Sequence, residues 1–246
     1  MNPTSYELAV AEYLRLLYPE PEFLVRHDIR MAGKLSGGPR QIDVAVFSPP
    51  DPEPIFIAEA KKHRRRIDVG TAGMVISLVR DVGSVPSVLV ATTGFSSAAQ
   101  RYLAHEGIQH LAITISRAEC LRWVSDLQAR FRGDAEFMEV SGSLVEAIRK
   151  KDPTPFLDCD IPYEEWLAVA DLGFSRFATN AAEVFSVIAR EHYDDGHRFN
   201  AIQILHDRNL LSTAAAVTLM KNEADPDTRE LLEEIVAFRD RDQFGY

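Results

Sequence analysis

Residues 41–47 (QIDVAVF) and 55–61 (IFIAEAK) are apolar, β-branched runs, and between them lies SPPDPEP, with four prolines in seven residues. Proline has no amide donor and a fixed φ, so this segment is neither helix nor central strand. Apolar and polar residues alternate in the flanking runs, which is the period of a strand. The three pieces read as a hairpin with a long proline-rich tip. A hairpin here commits the first half of the chain to a β-sheet.

Around the hairpin the patterns switch between helix and strand. Over residues 4–18, Tyr6, Val10, Tyr13, Leu14 and Leu17 recur at helical spacing, with Thr4 or Ser5 as cap. A strand is expected around 23–30 and a loop at 33–39. Residues 68–82 fit a helix, SVLVA at 87–91 a buried strand, 97–106 a helix capped by Ser96, and 110–115 a last short strand. This order predicts an α/β sandwich with a mixed central sheet. Beyond about residue 118 the patterns are helical only: 118–132, 141–151, 163–171, 175–193, 199–208, 212–221 and 226–240, with a linker at 151–162 holding three prolines. A domain is therefore expected at 1–118, a helical connector and linker at 119–162, and an all-helical domain at 163–246.

Charge divides the chain in the same place. The net charge of −10 over 246 residues argues, taken whole, against a nucleic-acid partner. Its distribution reverses that reading. Residues 1–124 hold 14 Lys and Arg against 13 Asp and Glu, and residues 125–246 hold 13 against 24. The one dense basic cluster, KKHRRR at 61–66, lies in the first half, which points to two modules with different tasks. No apolar run reaches the ~18 residues of a membrane span. The N-terminus lacks a basic leader region and does not read as a signal peptide. Two cysteines, Cys120 and Cys159, make no disulfide framework, so a reduced, cytoplasmic protein is expected.

The chemistry concentrates in the hairpin. The two-residue period of a strand puts Glu59 and Lys61 on one face and Ala58 and Ala60 on the other. The partner strand supplies Asp43. Two carboxylates and one ammonium can then meet at one end of the sheet. Mg²⁺ takes carboxylate oxygens and several waters, and a metal-held water beside a lysine is a hydrolytic nucleophile suited to a phosphodiester. The chain has no G-x-x-x-x-G-K-[ST], no G-x-S-x-G and no C-x-x-C, and its seven histidines form no metal-binding pattern. Serine, zinc and NTP-driven hydrolases are therefore not supported. His192 and His197 fall in an expected loop around an Asp-Asp-Gly turn.

Asp43 followed by Glu59-x-Lys61 resembles the PD-(D/E)xK nuclease signature. Five short stretches in order, RQIDV at 40–44, IAEAK at 57–61, RIDV at 66–69, VATTGFS at 90–96 and EGI at 106–108, resemble the Mrr-like restriction endonuclease catalytic domain. The likeness covers roughly residues 5–117. It implies a restriction-endonuclease-like sandwich and a Mg²⁺-dependent DNA endonuclease acting in defence against foreign DNA, with Mn²⁺ as a substitute ion. It implies Asp43 and Glu59 as metal ligands, and Lys61 as the group that orients or deprotonates the attacking water. It also implies an acid on the first helix near the metal, a position matched by Glu7. Glu7 lies beside Val10, Ala11 and Leu14 on the apolar side of its helix, where an acid is unexpected, whereas Glu12 pairs with Arg15 on a wetter side.

Lys62, Arg64, Arg65 and Arg66 read as contacts to a DNA backbone, and Arg40 as another. Gln41, on the face of Asp43, is expected to order the site. Thr92, Thr93 and Ser96 lie where a strand feeds a helix N-terminus, a natural anion site, but capping alone accounts for Ser96 and a structural role is expected for this turn. The alternative to a nuclease is a non-catalytic nucleic-acid-binding or scaffold protein on a nuclease-like fold. In the second half, residues 177–188, 202–211 and 214–222 resemble the HEPN helical-bundle superfamily. The ribonuclease motif of that superfamily, Arg-x4-His, has no His counterpart in RDRDQF at 239–244, so the acidic helices are expected to form a homodimer or hold a protein partner.

Overall fold

The computed structural model describes residues 1–130 and 135–244; the side chains of residue 135 and of 238–244 lie outside that description. The chain divides into two compact units, Met1–Ser125 with Asp134–Glu139, and Asp126–Gly133 with Val140–Tyr246. The first unit is α/β and the second helical.

Helix α1 (Pro3–Leu17) begins one residue earlier than the expected span of 4–18, and its cap is Asn2 rather than Thr4 or Ser5. Asn2 accepts the amide of Ser5 at 2.7 Å, and Pro3 occupies the first turn, where a missing N–H costs nothing. Strands β1 (Leu24–Ala32), β2 (Pro39–Phe47) and β3 (Pro54–Lys61) follow as an antiparallel meander. The proline-rich tip joins β2 to β3 as expected. Helix α2 (Val69–Val82) is capped by Asp68 and stopped by Gly83 at φ 111°, a left-handed turn that glycine adopts without strain. It leads to β4 (Ser87–Ala91), which lies parallel to β3. Ser96 caps α3 (Ser97–His105), and β5 (Gln109–Ala112) adds a second parallel pair, giving the sheet order β1-β2-β3-β4-β5.

The mixed sheet is covered on both faces. On one, Tyr6, Val10 and Leu14 of α1 pack with Val44, Val46, Ala58, Ala60, Val88 and Val90. On the other, Val75, Ile76 and Val79 of α2 and Leu103 of α3 pack with Ala45, Ile57, Leu89 and Ala91. Each fully buried Leu or Ile contributes about 1.5–3 kcal/mol, so SVLVA, buried at every position, anchors both layers. A single helix over 118–132 is not what forms. Thr114 caps α4 (Ile115–Leu121), the helix breaks at Arg122, and α5 (Val124–Gln128) starts anew. Ala118 and Leu121 of α4 close the α1 face, which carries the first unit past residue 118.

The second unit contains most of α6 (Ala135–Lys150), then α7 (Thr154–Leu157), α8 (Tyr163–Glu191), α9 (Asp195–Asp207), α10 (Thr213–Asn222) and α11 (Pro226–Phe244). The break expected between 171 and 175 is a kink inside α8, where Phe177 has φ −145° and ψ 48°. Phe156, Trp166 and Phe185, all fully buried, pack with ring centroids 5.4–5.9 Å apart. His192 ends α8 and His197 lies in the first turn of α9. Their rings stack at 4.5 Å and 5°, so the expected loop is a tight helix–helix corner. The RDRDQF stretch falls in α11, outside the described side chains. Among the described residues no helix is long and apolar enough to cross a membrane.

Candidate active site

The ladder between β2 and β3 runs from Phe47↔Pro54 to Val44↔Ala58 and no further. Their outer neighbours stay paired longer: β1–β2 continues to Ala32↔Pro39 and β3–β4 to Lys61↔Ala91. The sheet therefore opens as a fork between β2 and β3, with Asp43 and Glu59 at its mouth. Their side chains replace the missing ladder bonds. The Asp43 amide donates to Glu59 Oε1 at 3.3 Å, and the Ala60 amide donates to Asp43 Oδ2 at 2.8 Å.

Lys61 closes the arrangement. Its Nζ donates to Asp43 Oδ2 at 3.1 Å and to Glu59 Oε2 at 2.8 Å. The carboxylates are nearly buried, with side chains 11% and 7% exposed, while Lys61 keeps 28%. Burial first, and then the charge of Asp43, push the Glu59 carboxyl above its ordinary range, against the opposing pull of Lys61. For Lys61 burial acts to lower the pKa, but the charges and hydrogen bonds of Glu59 and Asp43 outweigh it and the net shift is upward. In the metal-free site Lys61 is held as an ion-pair partner of both carboxylates. Two hard oxygen donors with one compensating cation leave a net negative charge in a half-closed fork. That donor set fits a divalent ion of the Mg²⁺ class, which prefers one or two carboxylates and keeps its waters.

The structure brings Asp43, Glu59 and Lys61 together and leaves Glu7 apart. Glu7 faces His27 Nε2 at 3.3 Å. Among the described residues no group of three or more His, Cys, Asp or Glu is placed to hold a metal, so Glu7 does not complete a donor set. The reason is the layering: α1 packs on the face of Ala58 and Ala60, and strand alternation turns Glu59 and Lys61 to the other. The wetter of the two α1 acids is also reversed. Glu12 is the buried one, accepting from the Ser125 amide at 3.0 Å and hydroxyl at 2.6 Å as well as from Arg15.

Arg40 does not stand free for a phosphate. Its Nε binds Asp81, a buried acid that also accepts from the amides of Leu35 and Ser36 and the Ser36 hydroxyl. Gln41 turns its amide to Asp28 at 2.8 Å rather than into the fork. Lys62, Arg64, Arg65 and Arg66 are all exposed, and among the described residues none is in an ion pair. Ser96 is a helix cap, and Thr92 and Thr93 bond to the main chain of the basic loop. Asp81 is the residue that pattern reading passes over. An acid in the last turn of a helix opposes the helix dipole, and that position is the signal that it has a partner elsewhere.

No protein-family model matches the chain, and no curated protein matches it. Among solved structures, a protein of unknown function, AF1548, is similar over 69% of this chain and 97% of its own, with 15% identity and a TM-score of 0.38. A likeness at that level says nothing about the site.

Proposed function

We propose that this chain is a Mg²⁺-dependent endonuclease that hydrolyses DNA phosphodiester bonds. The observation that carries the reading is the Lys61 ammonium held between Asp43 and Glu59 where β2 and β3 part. Asp43 and Glu59 would hold the metal, which when bound supplies Lewis-acid charge to a phosphoryl oxygen. Lys61, placed between its two neighbours, would donate hydrogen bonds to the non-bridging oxygens as charge develops on phosphorus. It would orient or deprotonate the attacking water, the role the family likeness implies. The exposed cations of residues 62–66 bind flanking phosphates without reading sequence. DNA as substrate, Mn²⁺ as a substitute ion, a homodimeric assembly and a role in defence rest on the Mrr-like resemblance alone.

The test is incubation of the full chain with supercoiled plasmid and with single-stranded DNA, with Mg²⁺ or with chelator, beside Asp43→Asn and Lys61→Met. Mg²⁺-dependent nicking that both variants lose is the expected result. Nicking by Asp43→Asn at the wild-type rate would overturn the assignment. Mg²⁺-independent binding without cleavage would favour a scaffold on a nuclease-like fold.

A further inference from the structure

Six basic and polar residues in a row, KKHRRR, would ordinarily make a mobile, self-repelling loop. Here the loop is laced to the turn after β4. The Thr92 amide donates to Lys61 O at 3.3 Å, continuing the β3–β4 ladder by one step. Beyond it side chains take over. The Thr92 hydroxyl donates to His63 O at 2.7 Å and accepts the His63 amide at 3.1 Å, so one side chain satisfies both main-chain groups of that residue. The Thr93 hydroxyl donates to Arg65 O at 2.6 Å. The Ile67 amide binds Gly94 O, and the Ser96 amide binds Ile67 O, each at 2.9 Å. Every second residue from 61 to 67 is thereby fixed.

Several arginines of the first unit are held by a neighbouring acid and so are not open to a ligand. Arg15, Arg40, Arg80 and Arg117 all sit in ion pairs. Lys62, Arg64, Arg65 and Arg66 do not, among the described residues, although they are exposed and adjacent to Lys61. A rigid row of unpaired cations beside a buried carboxylate pair is complementary to a polyanion. We infer that Thr92 and Thr93 are positioning residues that hold residues 62–66 as a preorganised phosphate-binding strip leading into the fork. This inference rests on the nuclease reading for the identity of the polyanion. The hydroxyls touch no DNA. They remove in advance the ordering cost that a loose loop would meet on binding.

The experiment measures binding of a short fluorescent DNA duplex to the full chain across a salt series. Thr93 is exposed, so Thr93→Val has little to disturb in the fold. It should weaken binding about fivefold at every salt concentration with the slope of log Kd against log salt unchanged, since the same phosphates are met and only the ordering cost is added. Thr92→Val should weaken binding further, and Thr92→Ser, which keeps the hydroxyl, should restore it. Arg65→Ala behaves differently, lowering the slope by about 0.9. In cleavage the threonine variants should raise KM and spare kcat. Wild-type affinity in Thr93→Val and Thr92→Val would overturn the inference, as would a wild type that binds no duplex. A wild type that binds but never cleaves overturns the nuclease reading only, and the Kd comparison still decides the strip.

Discussion

Asp43 and Glu59 each accept a main-chain amide from the other's strand, Glu59 from Asp43 itself and Asp43 from Ala60, at 3.3 and 2.8 Å. The two acids are therefore structural as well as chemical, and their variants should separate the two roles. Asp43→Asn and Glu59→Gln keep an acceptor for each amide and should abolish Mg²⁺-dependent cleavage while leaving the urea midpoint near wild type. Asp43→Ala leaves the buried Ala60 N–H without a partner, at a cost of about 1–3 kcal/mol. Carboxylate repulsion alone would predict that removing either acid stabilises the fold, and the fork reverses that for alanine at 43. A stabilised Asp43→Ala would contradict this geometry.

Lys61 occupies the position between the carboxylates that a divalent cation would share. Lys61→Met should lower turnover by about 10²–10³, the range found for loss of one preorganised donor to a developing oxyanion. In the DNA-free protein it should at the same time raise Mg²⁺ affinity, because the competing ammonium is gone. Calorimetric titration of Mg²⁺ into both proteins reads this directly. Equal or weaker Mg²⁺ binding by the variant would mean that Lys61 does not compete for the carboxylates.

What pattern reading recovers is local. The alternation in 41–47 and 55–61 gives β2 and β3 with Glu59 and Lys61 on one face. The helical pattern from 68 and the Ser96 cap give two helix starts within a residue. What it misses is long-range. Glu12 is buried because Ser125 comes back to it from 113 positions away, and Arg40 is claimed by Asp81 from 41 away. No helical wheel contains those partners. The same holds for Glu7, whose helix position is read correctly but whose sheet face depends on how α1 packs. The fork is illegible for a different reason: side-chain carboxylates standing in for ladder bonds leave the strand period unchanged.

Asp81 ties the β1–β2 loop to α2 by accepting from Leu35, Ser36 and Arg40. The hydrogen bonds from Ser36, with those from Arg40 and Leu35, hold its carboxyl well below the ordinary range against the effect of burial. A carboxyl whose folded pKa is depressed adds stability above its unfolded pKa of about 3.9, and that stability is lost as pH falls through the folded value. Asp81→Asn should therefore lower the unfolding midpoint at neutral pH. Its curve should also fall less steeply than wild type below about pH 4. Parallel curves across the acid range would show that Asp81 is not ionised in the loop.

His192 should set an acid limit on the second unit. The residue is 2% exposed. Its Nε2 faces Phe156 O at 3.0 Å and its Nδ1 faces the Asp194 amide at 3.1 Å. A carbonyl accepts and an amide donates, so the ring is the neutral Nε2–H tautomer with both nitrogens engaged. Protonating Nδ1 would turn the Asp194 amide away and place a buried cation face to face with His197. Burial first, then His197, hold the His192 pKa below its ordinary value, against the opposing bonds to Phe156 and Asp194 and the charge of Asp194. For a histidine with a depressed folded pKa, stability is present above the unfolded value of about 6.5 and is lost as pH falls through it toward the folded one. Thermal melts should accordingly drop as pH falls below about 6.5. His192→Gln should start from a lower midpoint, having lost the ring stack, and should lose less on acidification. An NMR titration of the imidazole C–H resonances checks the cause without relying on melting. His192 should titrate below about pH 6.5, and titration at or above that value would remove it as the source of the acid limit.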